Sequence, residues 1–452
     1  MKKKKVMALF VATSFVIASL AGCGNSESES NTSTGVTDTS TDVSETESTL
    51  EAEIGEESNQ NTDIEGEITF VSANDQTGAL DDMIAAFNEV YPNVVVNHES
   101  LPGASDDIKE SLMTSLAAGD SSPDVFECDI IWVSQFAAAG WLEDVTDDIE
   151  EISDQYLAGP LSTVYYNDRA YAYPDYTDVG LLYYRSDIID TPPTTWDELV
   201  ELANEYVGTN GIEYGYLFQM FQGEPTSCNM LEFIKQNGGV DLVDGEFKLN
   251  SENSVEALNF VEELISSGIS PEGVLTHKPA DSRAIFEEGN ALFMRNWTSA
   301  YELTQTEEGS QVVGKVGVAA LPVGPNGTSS SGTLGGWSFA INAYSEEKEA
   351  AKAFAEFMSS YDAQKISALE RGTFPVVSAV YDDEDVVNGQ PYISAVREAA
   401  DKAEPRPQVR DYSTVSTLFA EYIHKALLGE LSNEEALETL DEKLNEALAE
   451  MK

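Results

Sequence analysis

The sequence predicts an α/β fold in which helices cover both faces of a mainly parallel sheet. Short runs rich in β-branched and aromatic residues alternate along the chain with segments whose apolar residues recur every three or four positions. This alternation is typical of helices packed on a sheet. The segment from Glu67 to Lys452 is long enough for two domains or one large bilobed unit.

The predicted strands are apolar runs bounded by turn-forming residues. They are Ile68–Ser72, Val94–His98, Asp124–Val133, Val316–Leu321 and Trp337–Ile341.

The predicted helices follow from apolar residues at helical spacing. The apolar positions are Val255, Leu258, Val261 and Ile265 in the first helix, Ala350, Phe354, Phe357 and Met358 in the second, and Leu437, Leu440, Leu444 and Leu448 in the last. Ser432 or Asn433 is expected to cap the last helix, because acidic residues occupy its first turn.

The N-terminus predicts secretion, with residues 1–22 as a cleaved signal peptide. Lysines at positions 2–5 precede an apolar run from Val6 to Leu20 that is too short to remain as a membrane span. Leu20-Ala21-Gly22-Cys23 resembles the bacterial lipobox, in which the cysteine thiol receives lipid. An ordinary cleaved signal with an incidental cysteine is the alternative. The prediction is therefore a mature chain that starts at Cys23 and is held at the outer face of the membrane.

Residues 23–66 are predicted to form an extended, lipidated tether. From Gly24 to Gly66 there is no lysine, arginine or aromatic residue, and the many acidic residues repel one another. A tether of this length suits a thick cell wall, which favours a Gram-positive type of envelope.

The overall charge of the chain argues against polyanionic binding partners. A formal net charge of −57 argues against nucleic acid, because phosphate would repel the chain. No basic amphipathic face is visible that would bind an anionic membrane surface. Beyond Cys23, Cys128 and Cys228 are either paired or buried as free thiols, and the sequence does not decide between these alternatives.

The sequence predicts no metal site and no cofactor. His98, His277 and His424 are far apart in the chain and show no metal-ligand spacing. The glycine-rich segment 332–336 lacks the ending of a phosphate loop, and the acidic segment 382–385 lacks the spaced ligands of a calcium loop. There is also no Gly-x-Ser-x-Gly motif of a serine hydrolase.

Five segments combine aromatic residues with polar groups. They are Cys128–Trp132, Tyr173–Asp178, Arg295–Trp297, Gly335–Trp337 and Glu404–Pro407. Sugars need this mixture, because the C–H faces of their rings stack on aromatic side chains while their hydroxyls bind carboxylates, amides and guanidinium groups. Together the five segments predict a carbohydrate-binding groove.

Read in order, several motifs resemble the extracellular solute-binding proteins of family 1, and most of all the trehalose- and maltose-binding subgroup of ABC sugar importers. The resemblance spans nearly all of 67–452. The motifs that carry it are 123–126, 135–142, 178–185, 193–199, 293–297, 314–319, 333–337 and 405–407.

This resemblance implies two α/β lobes joined by a hinge of crossing strands, with the ligand held in the cleft between them. It also implies a binding protein that is not an enzyme and that delivers its ligand to the transmembrane subunits of an ABC permease. A monomer is expected. The implied crossovers lie near Tyr176, Leu321 and Pro375, which divide the chain into lobe one, 67–175 and 322–376, and lobe two, 176–321 and 377–452.

The resemblance further implies a set of ligand-binding residues at matching positions. Asp129, Tyr176 and Asp178 would bind hydroxyls, and Trp297 and Trp337 would stack on sugar rings. The remaining members of the set are Gly336 through its backbone, Arg406 as a multidentate donor, Gln76 after the first strand, and Glu224.

Two departures from the subgroup leave the ligand open. Thr298–Tyr301 and Phe218–Pro225 each differ at an aromatic position of the close relatives. Trehalose or maltose is therefore one candidate beside longer α-glucans and other oligosaccharides. Two other functions are a secreted glycoside hydrolase that uses Asp129 and Asp178 as its carboxylate pair, and a sugar sensor or adhesin without transport.

Overall fold

A computed structural model describes residues 60–73, 75, 77–102, 105–306 and 308–451, and within these the chain builds two mixed β-sheets covered by helices. The signal peptide, Cys23 and most of the predicted tether lie outside the described residues, as does Gln76. No helix in the described ranges is both long enough and apolar enough to cross a bilayer.

The first sheet has seven strands. Its order across the sheet is Phe374–Pro375, Tyr173–Val179, Thr333–Ile341, Val125–Asp129, Gly66–Ala73 and Val94–Leu101, with Glu404–Pro405 added at the start of Thr333–Ile341. The three strands nearest the N-terminus run parallel, whereas Thr333–Ile341 runs antiparallel to both of its long neighbours. The predicted α/β class is confirmed, but the sheets are mixed and not mainly parallel, because the strands that return to the first sheet run against its N-terminal strands.

The second sheet has four strands, in the order Val316–Ala319, Leu181–Arg185, Ala291–Asn296 and Tyr214–Leu217. Only Gly180 separates its strand Leu181–Arg185 from the strand Tyr173–Val179 of the first sheet. A Cβ atom on Gly180 would lie 2.1 Å from Oε1 of Glu232, so only glycine fits where the chain passes from one sheet to the other. The chain returns to the first sheet between Ala319 and Thr333. Two small hairpins, Tyr165–Tyr166 with Arg169–Ala170 and Leu242–Val243 with Glu246–Phe247, complete the strands.

The helices cover both sheets. The α-helices are Ala79–Val90, Ser105–Ala118, Val133–Ala138, Thr146–Ile152, Ala158–Thr163, Trp196–Tyr206, Glu224–Gln236, Glu252–Ser266, Pro279–Glu287, Ala300–Thr306, Lys348–Met358, Tyr361–Ile366, Glu384–Gly389, Ile393–Ala400, Tyr412–Leu427 and Asn433–Met451. Short 3₁₀ turns occupy Ser153–Gln155, Glu272–Thr276 and Ser378–Asp382, and a π-helical turn occupies Ser367–Arg371.

Three apolar cores hold these layers together. One lies around the first sheet and another around the second sheet, where the two C-terminal helices also pack. The third joins them, since Val179 and Leu334 of the first sheet share it with Leu181 and Met294 of the second. This arrangement lets each sheet keep its own core while the crossing strands share a common one.

Most predicted elements are present. The three predicted helices are observed as Glu252–Ser266, Lys348–Met358 and Asn433–Met451. Ser432 caps the last of these: its hydroxyl accepts the Glu435 amide while the Glu435 carboxylate accepts the Ser432 amide.

One strand prediction needs correction, and the two crossing strands were not predicted. The strand predicted over Asp124–Val133 ends at Asp129, because a turn follows and a helix begins at Val133. The crossing strands Tyr173–Val179 and Leu181–Arg185 were not predicted, since their buried runs lack an alternating pattern. Cys128 and Cys228 are both buried free thiols, which decides the alternative that the sequence left open.

Candidate ligand-binding site

Three predicted site residues form one row across the first sheet. Trp337, in the middle strand, pairs with Asp129 on one side and with Tyr176 on the other. Directly paired residues point to the same face of a sheet, so a carboxylate, an indole and a phenol lie side by side. All three side chains are only partly buried. The row therefore offers stacking surfaces beside a hydrogen-bond acceptor.

Gly336 makes this row possible. Its φ of +128° is outside the range that other residues adopt readily, and a Cβ atom there would lie 2.2 Å from the Tyr176 carbonyl oxygen. Its own carbonyl accepts the Ile130 amide at 3.3 Å. The glycine thus brings two strands close together beside Trp337.

Asp178 links the two sheets. It lies on the first sheet opposite Gly335, yet its Oδ1 accepts the Thr298 backbone N–H at 2.9 Å and the Thr298 hydroxyl, both from the loop that follows a strand of the second sheet. Burial raises the pKa of Asp178, an effect that the Thr298 hydrogen bonds and the charge of Arg295 offset only in part.

Trp297 stacks on a buried arginine. The guanidinium carbon of Arg295 lies 4.2 Å from the centre of the Trp297 ring. Arg295 is 1% exposed and is held by Glu232 through Nε to Oε2 at 2.9 Å and Nη2 to Oε1 at 2.5 Å. The ring edge also meets Gly335, where a Cβ atom would come within 3.2 Å of it. One face of Trp297 is thus covered while part of the side chain remains exposed.

A cleft of about 330 Å³ opens beside Tyr176 and Asp178. Its wall is rich in hydroxyls and contains both acidic and basic groups: Asp75, Thr77, Thr177, Thr298, Ser299, Arg371 and Thr373. The Thr177 hydroxyl is buried without a hydrogen-bond partner. Such a wall can bind a small, hydroxyl-rich molecule.

Glu224 and Arg406 form a second group. Arg406 Nη1 donates to Glu224 Oε1 at 2.7 Å, and the same carboxylate accepts the hydroxyls of Tyr412 at 2.8 Å and Ser416 at 2.5 Å. Burial opposes the charged form of Arg406, but its negative neighbours, including Glu224 and Asp129, raise its pKa well above the usual value. Its Nε is buried without a partner. Glu224 is therefore occupied by protein donors, and Arg406 keeps one donor unused.

The structure thus places Asp129, Tyr176 and Trp337 in one row, with Asp178 and Gly336 beside it. Trp297 approaches this group from the second sheet, whereas Glu224 and Arg406 bind each other. Thr298, Arg371 and Thr373 were missed. Their contacts join residues far apart in the chain, such as the Arg371–Glu127 bond across 244 positions, and no local pattern marks them.

One hydrogen-bonded chain has the residue types of a hydrolytic triad. The Ser72 hydroxyl lies 2.8 Å from His98 Nε2, and His98 Nδ1 lies 3.3 Å from Asp81. Ser72 is only 1% exposed and its hydroxyl also contacts the Ala73 carbonyl at 2.8 Å, so it cannot reach a substrate. Among the described residues no group of three or more His, Cys, Asp or Glu side chains is arranged to hold a metal ion.

Comparison with known proteins identifies the family. The sequence profile of the family described as "Bacterial extracellular solute-binding protein" matches residues 72–365. The chain belongs to this family. It is a solute-binding protein and not an enzyme, which sets aside the glycoside hydrolase alternative.

Similar proteins support this assignment. A probable ABC transporter-binding protein of Deinococcus radiodurans is 31% identical over 76% of this chain and 84% of its own length. The maltose-bound MalE3 of T. maritima is 37% identical, covers 84% of this chain and 98% of its own, and superposes with a TM-score of 0.73. The maltotriose-binding protein of Pyrococcus abyssi is 26% identical over 70% of this chain and 67% of its own length. The solute-binding fold with two lobes is therefore confirmed.

Proposed function

We propose that this solute-binding protein captures a di- or oligosaccharide, such as an α-glucoside of the maltose or trehalose type, and delivers it to an ABC importer. The row of Asp129, Trp337 and Tyr176 is the observation that carries the proposal. Its two rings suit the apolar faces of sugar rings, and its carboxylate suits their hydroxyls.

The second sheet supports the same function. Trp297, backed by Arg295, presents another aromatic surface beside Gly335. The hydroxyl-rich wall of the cleft at Tyr176 and Asp178 suits a ligand with many hydroxyl groups.

The similar proteins point to the same class of ligand. MalE3 of T. maritima was solved with maltose bound, and the relative in Pyrococcus abyssi is named for maltotriose. We extend this ligand class to the present chain. The transmembrane subunits of an ABC permease are the proposed partners, because the relative in Deinococcus radiodurans is named as an ABC transporter-binding protein.

Anchoring at Cys23 is part of the proposal. A lipid on this residue would hold a monomeric protein at the outer face of the membrane, with residues 23–66 as the tether. Cys23→Ser is expected to abolish labelling of the protein by a palmitate analogue in cells. Equal labelling of the parent and the variant would contradict the anchor.

A thermal-shift screen of the purified protein tests the function. Maltose, maltotriose, trehalose and unrelated amino acids are added in turn. A sugar at a hundred times its dissociation constant is expected to add about 2.7 kcal/mol to the stability. Trp337→Ala should remove most of this stabilisation, because it deletes the centre of the row. Trp141→Ala is the matched control, a partly buried tryptophan that belongs neither to the row nor to the lining of the described cleft. Absence of a shift with every sugar would contradict the proposal.

Closure of the lobes is the proposed motion. We keep the lobe boundaries predicted above, with lobe one formed by 67–175 and 322–376. A sugar that touches Trp337 of the first sheet and Trp297 of the second gains its full set of contacts only when the cleft closes. Small-angle scattering should show a smaller radius of gyration at saturating sugar, whereas an unchanged profile would argue for a rigid site.

A further inference from the structure

A β-bulge beside the proposed site re-aims one carboxylate. In the strand Tyr173–Val179, Tyr176 pairs with Trp337 and Pro174 pairs with Ser338, so that Asp175 is the extra residue. An extra residue bends its strand and turns its side chain out of the regular alternation. Asp175 is fully buried, at 0% exposure, next to the row of proposed sugar contacts.

The buried carboxylate belongs to a cluster of three charged groups. Arg371 Nη2 donates to Glu127 Oε1 at 2.9 Å, and Arg371 Nη1 lies 3.6 Å from Asp175 Oδ2. Glu127 is itself fixed, because its Oε2 accepts the Ala73 backbone N–H at 2.8 Å. The guanidinium is therefore held by acidic residues from two different strands of the first sheet.

The cluster has two carboxylates for one guanidinium. Neither oxygen of Asp175 has a hydrogen-bond partner within 3.5 Å, although both are buried. Burial raises the pKa of Asp175 well above its usual range, and the neighbouring Glu127 adds to this shift while Arg371 opposes it. The other charged or titratable groups that face the cluster are Tyr176, Asp178 and Asp75. A proton on Asp175 would leave the buried trio without net charge.

Arg371 connects this cluster to the cleft. Its guanidinium carbon lies 5.0 Å from the centre of the Tyr176 ring, and the residue lines the cleft together with Gly372 and Thr373. It ends a π-helical turn, and the following Gly372 has a φ of +71°, which lets the chain turn away at once. The arginine thus backs an aromatic ring that is itself part of the row.

We propose that Arg371 is a positioning residue for sugar binding, which acts through the ring of Tyr176 and is held in place by Glu127 and Asp175. This inference rests on the proposed function, because it takes Tyr176 as a sugar contact. A guanidinium stacked on the ring fixes its orientation and reduces its motion, so that less order has to be created when the sugar binds. Lysine at this position would keep the charge between the carboxylates but lose the planar group.

A double-mutant cycle tests the proposal, with calorimetric titration of maltotriose as the probe. Arg371→Lys in the parent is expected to weaken binding roughly tenfold. In a Tyr176→Leu background the same substitution is expected to weaken binding by less than about threefold, because the ring through which it acts is gone. A residue with a merely structural role would give the same loss in both backgrounds.

Arg397→Lys is the matched control. Arg397 also stacks on a tyrosine, 5.5 Å from the centre of the Tyr381 ring, and also pairs with an acidic residue, Asp382, but it does not line the described cleft. Its replacement should leave maltotriose affinity unchanged. Melting temperatures of all variants show whether the fold is retained. If Arg371→Lys fails to fold, Glu127→Gln loosens the same guanidinium and should show the same dependence on Tyr176.

The outcomes separate the two proposals. Equal losses in both backgrounds, or no loss in the parent, would overturn the role of Arg371 while leaving sugar binding intact. A parent protein that binds neither maltotriose nor any other sugar of the screen would overturn the proposed function and this inference with it.

Discussion

Two aromatic rings of the proposed site pack against arginines, one buried and one that lines the cleft, and the two arginines are held differently. Arg295, beneath Trp297 in the loop after a strand of the second sheet, makes hydrogen bonds to both oxygens of one carboxylate, that of Glu232. Arg371, beneath Tyr176 of the first sheet, faces two carboxylates and makes only one hydrogen bond of good geometry to them. Arg295 and Glu232 form a pair of one positive and one negative group, whereas the cluster around Arg371 contains a second carboxyl group.

In both places a guanidinium packs on an aromatic ring, but the number of carboxyl groups around it differs. A planar guanidinium can stiffen an aromatic ring wherever it is buried against the ring face. A one-to-one pair needs no additional proton to balance its charge. A cluster with an excess carboxylate must hold a proton or pay for an uncompensated buried charge, so its stability depends on pH.

Removing the carboxylate partner of Arg295 should have the largest effect. Glu232→Gln leaves a guanidinium that is 1% exposed without its hydrogen-bonded carboxylate. Breaking a buried pair in this way is expected to lower the free energy of unfolding by about 3–5 kcal/mol. Urea denaturation monitored by circular dichroism measures the change. A loss below about 1 kcal/mol would show that the charge of Arg295 does not depend on Glu232.

The equivalent change at the other arginine should cost less. Glu127→Gln removes a charge-assisted hydrogen bond, but Asp175 remains beside Arg371 and can ionise to replace the lost charge. We expect a loss of about 1–2 kcal/mol in the same urea experiment. If Glu127→Gln proves as costly as Glu232→Gln, the two clusters do not differ in the way proposed.

The smallest effect is expected from Asp175→Asn, and it depends on pH. The pKa of Asp175 is raised in the folded protein, so the folded state keeps a proton that the unfolded chain releases above about pH 4. The stability of the parent should therefore fall, relative to Asp175→Asn, as the pH rises from about 4 toward the raised pKa. Urea midpoints of the two proteins measured side by side from acid to neutral pH check this. A difference that is constant with pH, or one that changes in the opposite direction, would show that Asp175 is ionised throughout.

Local patterns were sufficient to predict several strands and helices, including part of the middle strand Thr333–Ile341 of the first sheet. The last helix has regular apolar spacing and a capping box at Ser432, and both signals are formed by residues close together in the sequence. The crossing strand Tyr173–Val179 was missed, because most of its residues are buried and its polar residues have remote partners. Its bulge at Asp175 depends on pairing with a strand more than 150 positions away, which a local pattern does not encode.

In the site, too, residues in local motifs were predicted and residues with remote partners were missed. Trp297 and Trp337 could be recognised as candidate contacts because each follows polar or glycine residues in a familiar motif. The arginine beneath Trp297 was part of the same motif, but its partner Glu232 was not apparent, and neither was Arg371. These contacts arise only after both sheets have formed, since they join strands and helices from distant parts of the chain.

The most direct measurement is a calorimetric titration of maltotriose into the parent protein and into a variant in which Tyr176 and Trp297 are both replaced by alanine. If the sugar is held between one arginine-backed ring from each sheet, the parent should bind it and the double variant should lose about a hundredfold or more in affinity. Trp141→Ala, the control, should bind like the parent. Absence of binding in the parent, or equal affinity of the parent and the double variant, would contradict the proposed site.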